Sequence, residues 1–428
     1  MKLYSENKDY KLYNGSMLDI LEVIEPNTID SVVCDPPYEL NFMGKGWDNS
    51  GIAFQEETWQ RCYEVLKPGG YLLAFGGSRT FHRIACAIED AGFEIRDTIM
   101  WLYGSGFPKS MNIGLAIDKK NGVESKVVGY QGSMMDFRDT GKKQKEISGI
   151  DKLSFGQIEN SERKENPIYE AQNEWQGWGT ALKPSFEPII VARKPFKGSL
   201  VDNVIENGVG GINIDECRVP FEDTPNPATN PKYRKNAGYK LPEKGQTSNG
   251  AVTFTSSKNE TNDLGRFPAN TILTYDEIPS DERLRYFYCA KASKKDRDEG
   301  LDEFEEKRKA GYGYDLGYQN AGEGMFKDRT TLKKNTHPTV KPTELMQYLV
   351  RLVTPNGGTV LDPFNGSGST GKAVMYENKE RNKNYKYIGI ELTEEYLPIA
   401  KARIEYVCNQ INNDKQTTIF DFLGDSNE

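Results

Sequence analysis

Val360-Leu361-Asp362-Pro363-Phe364-Asn365-Gly366-Ser367-Gly368-Ser369-Thr370 is a short apolar run that ends in an acid and turns through two glycines into a helix-forming stretch. The pattern predicts a strand over 359–361, a tight turn that lets backbone come close to a ligand, and a helix from Ser369. Roughly twenty residues further on, Tyr387-Ile388-Gly389-Ile390 runs into Glu391, so a second predicted strand, 385–390, also ends in an acid. An acid at the end of the neighbouring strand is the arrangement that binds ribose hydroxyls in Rossmann-type sites. Asp362, Phe364, Gly366, Ser367, Gly368 and Glu391 are therefore candidate walls of a nucleoside pocket.

Working outward, Pro342 opens a predicted helix over Thr343–Val353, with Leu345, Leu349, Leu352 and Val353 on one face, and a last helix is expected over 394–408. The first hundred residues carry the same alternation. Helices are predicted over 17–24, 58–66 and 81–91, and strands over 28–34, 71–75 and 93–103. The runs Ser31-Val32-Val33-Cys34 and Tyr71-Leu72-Leu73-Ala74-Phe75 lack polar alternation, as strands covered on both faces do. The fold class is α/β, a doubly wound, mostly parallel sheet assembled from two pieces more than two hundred residues apart, since neither piece has enough strands to cover itself.

Asp35-Pro36-Pro37-Tyr38 follows the strand over 28–34 directly, at the carboxyl end where α/β sheets hold ligands. Consecutive prolines fix φ and carry no N–H, so nearby carbonyls can be aimed at an external donor. An exocyclic amine fits: Asp35 and the Pro36 carbonyl accept its hydrogens, and Tyr38 offers a flat surface for a base. A rigid turn with a solvated aspartate is the plainer alternative.

The chain has 428 residues, 36% hydrophobic and 28% charged, which fits two or three packed domains and excludes global disorder. No apolar run approaches the ~18 residues of a membrane helix, and the first ten residues lack the apolar core of a secretory signal, so a cytoplasmic protein is expected. Six scattered cysteines without a CxxC pair, and two histidines, suggest reduced thiols with neither disulfides nor a metal. Net charge is −8, but residues 193–341 hold 25 Lys/Arg against 23 Asp/Glu while the rest holds 30 against 40, so a polyanion would sit in the middle stretch. Within it, Lys232, Arg234, Lys235, Lys240, Lys244 and Lys258, interleaved with Tyr233, Tyr239 and Phe254, suit phosphate contacts and stacking. The run Lys294 to Glu299 mixes both signs and reads as a solvated helix surface in a charged helical stretch near 294–309.

The strand predicted over Phe186–Arg193 contains Pro188, which favours a sheet edge or a strand start. Residues 121–173 are polar and aperiodic and read as a surface excursion. Gly366 to Lys372 also fits a phosphate-cradling P-loop up to Ala373, which stands where a Ser/Thr should hold Mg²⁺, so an NTPase is a competing reading. His337 reads as a loop residue that holds its turn.

Together these motifs resemble the amino-methyltransferases of DNA, in the permuted order called the β group. Asp35 to Tyr38 looks like that family's catalytic motif and Asp362 to Gly368 like its S-adenosylmethionine motif, with a long target-recognition region between. Phe42 to Asp48 and Trp178 to Pro184 are also similar to members from bacteriophages and prophages. The resemblance covers roughly 1–110, 180–195 and 335–410 and implies a circularly permuted Rossmann-like methyltransferase sheet with a large irregular insertion. The expected division is a catalytic half over 1–110, the polar excursion over 111–180, a returning strand within 181–195, target recognition over 196–335, the cofactor half over 336–410 and a tail over 411–428.

The resemblance also implies site roles. Phe364 packs on the cofactor adenine, Asp19 meets its amine, Glu391 binds its ribose, and Lys341 approaches its carboxylate. The implied reaction is base flipping in double-stranded DNA and direct attack by the extruded amine, gripped by Asp35 and Pro36 and stacked on Tyr38, with Trp101, Tyr103 and Phe107 as the opposite wall. An acid first in the catalytic motif is typical of adenine N6 transfer, where cytosine N4 enzymes more often carry serine. The group often forms homodimers. An RNA methyltransferase or a silent nucleic-acid binder completes the alternatives.

Overall fold

The computed structural model describes residues 2–40, 46–103, 110–131, 166–219, 265–274, 287–289, 291–308 and 332–424. Two units are distinguished, one of residues 1–104 with 186–428 and one of residues 105–185.

The larger unit is built on a ten-stranded sheet. Its strands in chain order are β1 (Lys2–Glu6), β2 (Tyr10–Asn14), β3 (Ile29–Cys34), β4 (Leu66–Phe75), β5 (Glu94–Tyr103), β6 (Phe186–Arg193), β7 (Thr271–Thr274), β8 (Phe287–Tyr288), β9 (Thr359–Asp362) and β10 (Lys386–Glu391). They lie in the order β1-β2-β10-β9-β3-β4-β6-β5-β7-β8. All run parallel except β1 and β6, which are antiparallel to their neighbours.

The apolar runs divide by residue parity, as the period of a strand requires. Val32, Cys34, Leu72 and Ala74 face helices α1 (Met17–Leu21), α2 (Glu56–Val65) and α3 (Phe81–Asp90), while Val33, Leu73 and Phe75 point to the other core. That second core is closed by the helices Thr343–Val353, Ser369–Arg381 and Leu397–Gly424.

The two distant pieces join at one ladder. β9 pairs with β3 in parallel, Val360 opposite Ser31 and Leu361 opposite Val32. From β3 the chain passes through α2 to β4 on one side, and from β9 through Ser369–Arg381 to β10 on the other side and the other face. Strand order reverses between β3 and β9, and the crevice above their carboxyl ends is the topological switch point where such sheets bind ligands.

Several elements differ from expectation. The hairpin β1–β2 was not signalled by periodicity, because five-residue strands rich in Lys and Tyr carry little pattern. β6 is central rather than at an edge. Pro188 is tolerated because it pairs with Gly76 at the end of the β4 ladder: its carbonyl accepts from Gly76 N–H at 2.9 Å, and only the return bond is missing. Part of the 196–335 stretch does not stand apart, since β7 and β8 extend the main sheet. The last helix runs on to Gly424.

In the smaller unit the polar excursion is partly regular. A helix over Ile113–Asn121 is capped by the Asn112 side chain and by left-handed Gly122. Strands Lys126–Gln131 and Asn166–Glu170 form an antiparallel hairpin. The buried Asp118 carboxylate, which accepts from Ser125, Gln172 N–H and Asn173, ties helix to hairpin and lies below the usual carboxylate range through those bonds.

Candidate active site

Asp35, immediately after β3, has one oxygen engaged and one bare. Oδ2 lies 2.5 Å from the Lys341 ammonium, whereas Oδ1 is buried without a hydrogen-bond partner. Burial pushes the Asp35 carboxyl above its ordinary pKa, and Lys341 only partly offsets this. For Lys341 the balance is reversed: burial opposes the charge, but Asp35 and Glu187 outweigh it and raise the pKa.

The Asp35 turn is rigid. Tyr38 accepts at its carbonyl from the Thr80 hydroxyl at 2.8 Å. Glu39 follows in the left-handed region at φ 55°, and buried Asp48 accepts from the N–H groups of Glu39 and Leu40 at 3.0 and 3.2 Å. The Tyr38 hydroxyl donates to Glu187 at 3.0 Å and accepts from Lys341 at 3.1 Å. Pro36 is buried and Pro37 half-buried beside it.

One strand away, Asp362 ends β9. It is buried, accepts from the Thr370 hydroxyl at 2.6 Å and from Phe364 N–H at 3.0 Å, and burial pushes its pKa up to about 7. Phe364 is half-buried, its ring 6.2 Å from that of Trp59 on α2. Glu391, at the end of β10, is 8% exposed. Its oxygens accept from Gly366 N–H and Thr393 N–H, both at 2.7 Å, and burial raises its pKa to about 7. A carboxylate takes about four hydrogen bonds, so acceptor capacity remains for hydroxyls.

The glycines of the turn serve the protein itself. Gly368 has φ 74°, and a Cβ there would sit 3.0 Å from Ala400 Cα; Gly366 has φ 51° and faces the His337 ring at 3.0 Å. Arg403 holds the Ser367 carbonyl at 2.7 Å and its hydroxyl at 3.1 Å. His337 bonds through Nδ1 to the Thr339 carbonyl at 2.6 Å, stands edge-on to Tyr396, and is lowered by burial to a pKa of about 3, so it is a neutral buttress of the turn.

Three expectations need correction, while the exposure of Asp19 leaves its expected contact with the cofactor adenine standing. Lys341 reaches Asp35, not an open cofactor end, because Asp35 and Glu187 attract it. It also lies one residue ahead of Pro342, which is the N-cap and not the first helical residue. Trp101 is 3% exposed, donates to Thr274 at 2.8 Å and packs edge-on against Phe75 and Tyr103, so it belongs to the sheet core and not to an open wall. Asp19 is exposed on the first turn of α1. The mixed-charge run is helical only over Lys294–Asp298, and Asp296 is no solvated surface residue, since it binds Lys372 and Thr343.

That last contact also removes the P-loop reading. Lys372 is fully buried, 2.9 Å from Asp296 and 2.7 Å from Glu299, so its charge is taken up by two carboxylates and not available to a phosphate. Phe107 and the set Lys232, Arg234, Lys235, Lys240, Lys244 lie outside the described residues, as do Lys258, Tyr233, Tyr239 and Phe254. Among the described residues no group of His, Cys, Asp and Glu is placed to hold a metal, and no helix is long and apolar enough to cross a membrane. All cysteines but Cys86 are buried.

Sequence reasoning missed Glu187, Trp59, Asp296 and Arg403. Only Glu187 left a trace, as a lone charge at the start of an otherwise apolar strand.

Comparison with known proteins gives remote but consistent likenesses. The chain is 22% identical over 244 residues to the Type II methyltransferase M.HindIII of Haemophilus influenzae, a match covering 47% of this chain and 64% of that protein. Over 111 residues it is 32% identical to the Type II methyltransferase M.HpaI of Haemophilus parainfluenzae, covering 24% of this chain and 34% of that one. The matched stretches thus span less than two thirds of either relative. Among solved structures, the cytosine-N4-specific PvuII DNA methyltransferase aligns over 96% of this chain and 97% of its own at 13% identity, with a TM-score of 0.41. Residues 29–402, from the first residue of β3 to beyond the end of β10, match one family throughout, and the chain belongs to that family, DNA methylase.

Proposed function

We propose that this chain transfers a methyl group from S-adenosylmethionine to the exocyclic amine of a base in duplex DNA, adenine N6 in the first place. The observation that carries the reading is the bare, buried Oδ1 of Asp35 at the switch point, one strand from Phe364 and two from Glu391. A buried acceptor without a donor costs about 1–3 kcal/mol, a cost that an incoming N–H group removes.

The pocket residues fit the cofactor. Phe364 offers a half-buried aromatic face and Glu391 a carboxylate with free lone pairs beside the Gly366 turn. When bound, the cofactor supplies an electrophilic sulfonium methyl, which leaves a neutral thioether behind. Asp35 Oδ1 and the Pro36 carbonyl accept the two amine hydrogens, which frees the nitrogen lone pair from ring conjugation for in-line attack. The nitrogen gains the methyl and sheds one proton, for which Asp35, with its raised proton affinity, is the near acceptor. Tyr38 stacks on the extruded base, and rotation out of the duplex precedes these steps. The basic and aromatic set of 232–258 grips the phosphates.

The test is Asp35→Ala in the full-length chain with tritiated cofactor and duplex DNA. Transfer should be lost while cofactor binding persists; full activity would refute the assigned role. Digesting methylated DNA to nucleosides separates adenine N6 from cytosine N4, the alternative substrate.

A further inference from the structure

Glu187 is the second residue of β6, the antiparallel strand inserted between β4 and β5, and its carboxylate reaches the site from the side opposite the cofactor turn. Its Oε2 accepts from the Tyr38 hydroxyl at 3.0 Å and lies 3.5 Å from the Lys341 ammonium. Lys341 touches Asp35 Oδ2 at 2.5 Å and the Tyr38 hydroxyl at 3.1 Å. An ammonium carries three hydrogens, and here Asp35 and the Tyr38 hydroxyl accept two of them while Glu187 faces the third as an ion pair. The Lys341 charge also lies over the rings of Phe75 and Tyr38, at 4.7 and 5.3 Å. A flexible four-carbon stem is thereby fixed at one point, with 8% of its side chain exposed.

The consequence falls on Asp35. With Oδ2 bound to a fixed cation, the carboxylate plane is set and Oδ1 is the oxygen left over. We propose that Glu187 is a positioning residue for methyl transfer: by anchoring Lys341 and the Tyr38 hydroxyl together, it holds Asp35 with Oδ1 turned to the incoming amine and the Tyr38 ring set for stacking. This rests on the reading of Asp35 as amine acceptor. Without the Glu187 charge, Lys341 has a single carboxylate to follow, and the Tyr38 hydroxyl loses its acceptor at 3.0 Å and is left to Asp35.

The charged and titratable groups around Glu187 are Asp35 after β3, Tyr38 in the turn, Tyr103 on β5, Lys291 after β8 and Lys341 ahead of the helix Thr343–Val353. Lys291 lies over the Tyr103 ring at 3.5 Å and shares the field of Glu187. Glu187 itself raises the proton affinity of Asp35, so removing its charge makes Asp35 ionise more readily.

The experiment uses the full-length chain with Glu187→Gln, Glu187→Asp and Asp35→Ala, measuring cofactor affinity, melting, and kcat against pH on duplex DNA. Glu187→Gln should lower kcat about 10- to 100-fold, the scale of a displacement near 1 Å, with cofactor affinity within about threefold of wild type. Its acid limb should move to lower pH, whereas Glu187→Asp, which keeps the charge but not the reach, should lose kcat with the limb in place. A Glu187→Gln kcat within about threefold of wild type, a limb that does not move, or equal loss of cofactor binding overturns the proposal. If Asp35→Ala is fully active, the underlying functional reading fails instead, whatever Glu187 does.

Discussion

Replacing Lys372 by methionine keeps the apolar stem and removes only the ammonium, so it isolates the charge. Lys372 is fully buried and satisfies the Asp296 carboxylate at 2.9 Å, the Asp296 carbonyl at 3.0 Å and the Glu299 carboxylate at 2.7 Å. After substitution Asp296 still accepts from Thr343, and Glu299 from the Tyr376 hydroxyl, but the two carboxylates lose their nearest cation and keep the more distant charge of Arg403. Removing one partner of a buried pair costs about 3–5 kcal/mol. Because the Asp296 and Glu299 side chains remain 21% and 19% exposed, the lower end, about 3 kcal/mol, is expected. Urea unfolding followed by far-UV circular dichroism should show a midpoint lowered by roughly 1 M. The pH dependence gives an independent check. Burial alone would raise the Asp296 pKa, but Lys372 and Thr343 outweigh it and hold it below the usual carboxylate range. A depressed folded-state pKa stabilises above the unfolded value, near 4, and that stabilisation disappears as pH falls through the folded one; the gap between the two proteins should therefore close below about pH 4. A loss under about 1 kcal/mol, or lost ATP binding with stability intact, would refute the structural role of this lysine.

Gly368→Ala forces a side chain into φ 74° and against Ala400 Cα at 3.0 Å, which should cost about 2–3 kcal/mol in thermal unfolding; an unchanged melting temperature would mean that the turn is free to relax. Asp362 and Glu391 both titrate near 7 because they are buried, and a sulfonium cation bound beside them would lower both values and release protons. Cofactor affinity should therefore rise with pH through about 6 to 8, while the neutral thioether product, S-adenosylhomocysteine, should show a weaker trend; titration calorimetry showing equal trends for the two would refute this linkage.

The turns at 35–38 and 362–368 were legible because each sits where an apolar run stops at an acid followed by Pro or Gly, a local signal that survives whatever the strand packs against. The central place of β6 was not, since Pro188 speaks only about one backbone N–H, and its partners on both sides decide how much that bond matters. Trp101 shows the opposite case. Ile99, Trp101 and Tyr103 are buried at every second position of β5, so the period of the strand already assigned that ring to the core, but its nearness to the strand end drew attention toward a substrate role. Lys341 was placed by its nearness to a helix start, but a helix terminus is worth only about 0.3–1 kcal/mol to a charge, against two carboxylates within 3.5 Å. No sequence period brings Asp35, Glu187 and Lys341 together; only the order of strands does.

That order also explains why an acidic site can work here. Three parallel strands and the antiparallel β6 deliver four carboxylates, Asp35, Asp362, Glu391 and Glu187, to one edge of the sheet, and burial works against the charge of the first three. Backbone N–H groups steady Glu391 and the Thr370 hydroxyl steadies Asp362, while Lys341 serves the other two. The Lys341 ammonium lies beside Asp35 and Glu187, so negative character is left on the side of Phe364 and Glu391. On the proposed function, a cationic methyl donor is favoured there over the neutral product, and an amine at the bare Asp35 oxygen over another acceptor, so that one crevice would sort two substrates by charge and by hydrogen-bond polarity.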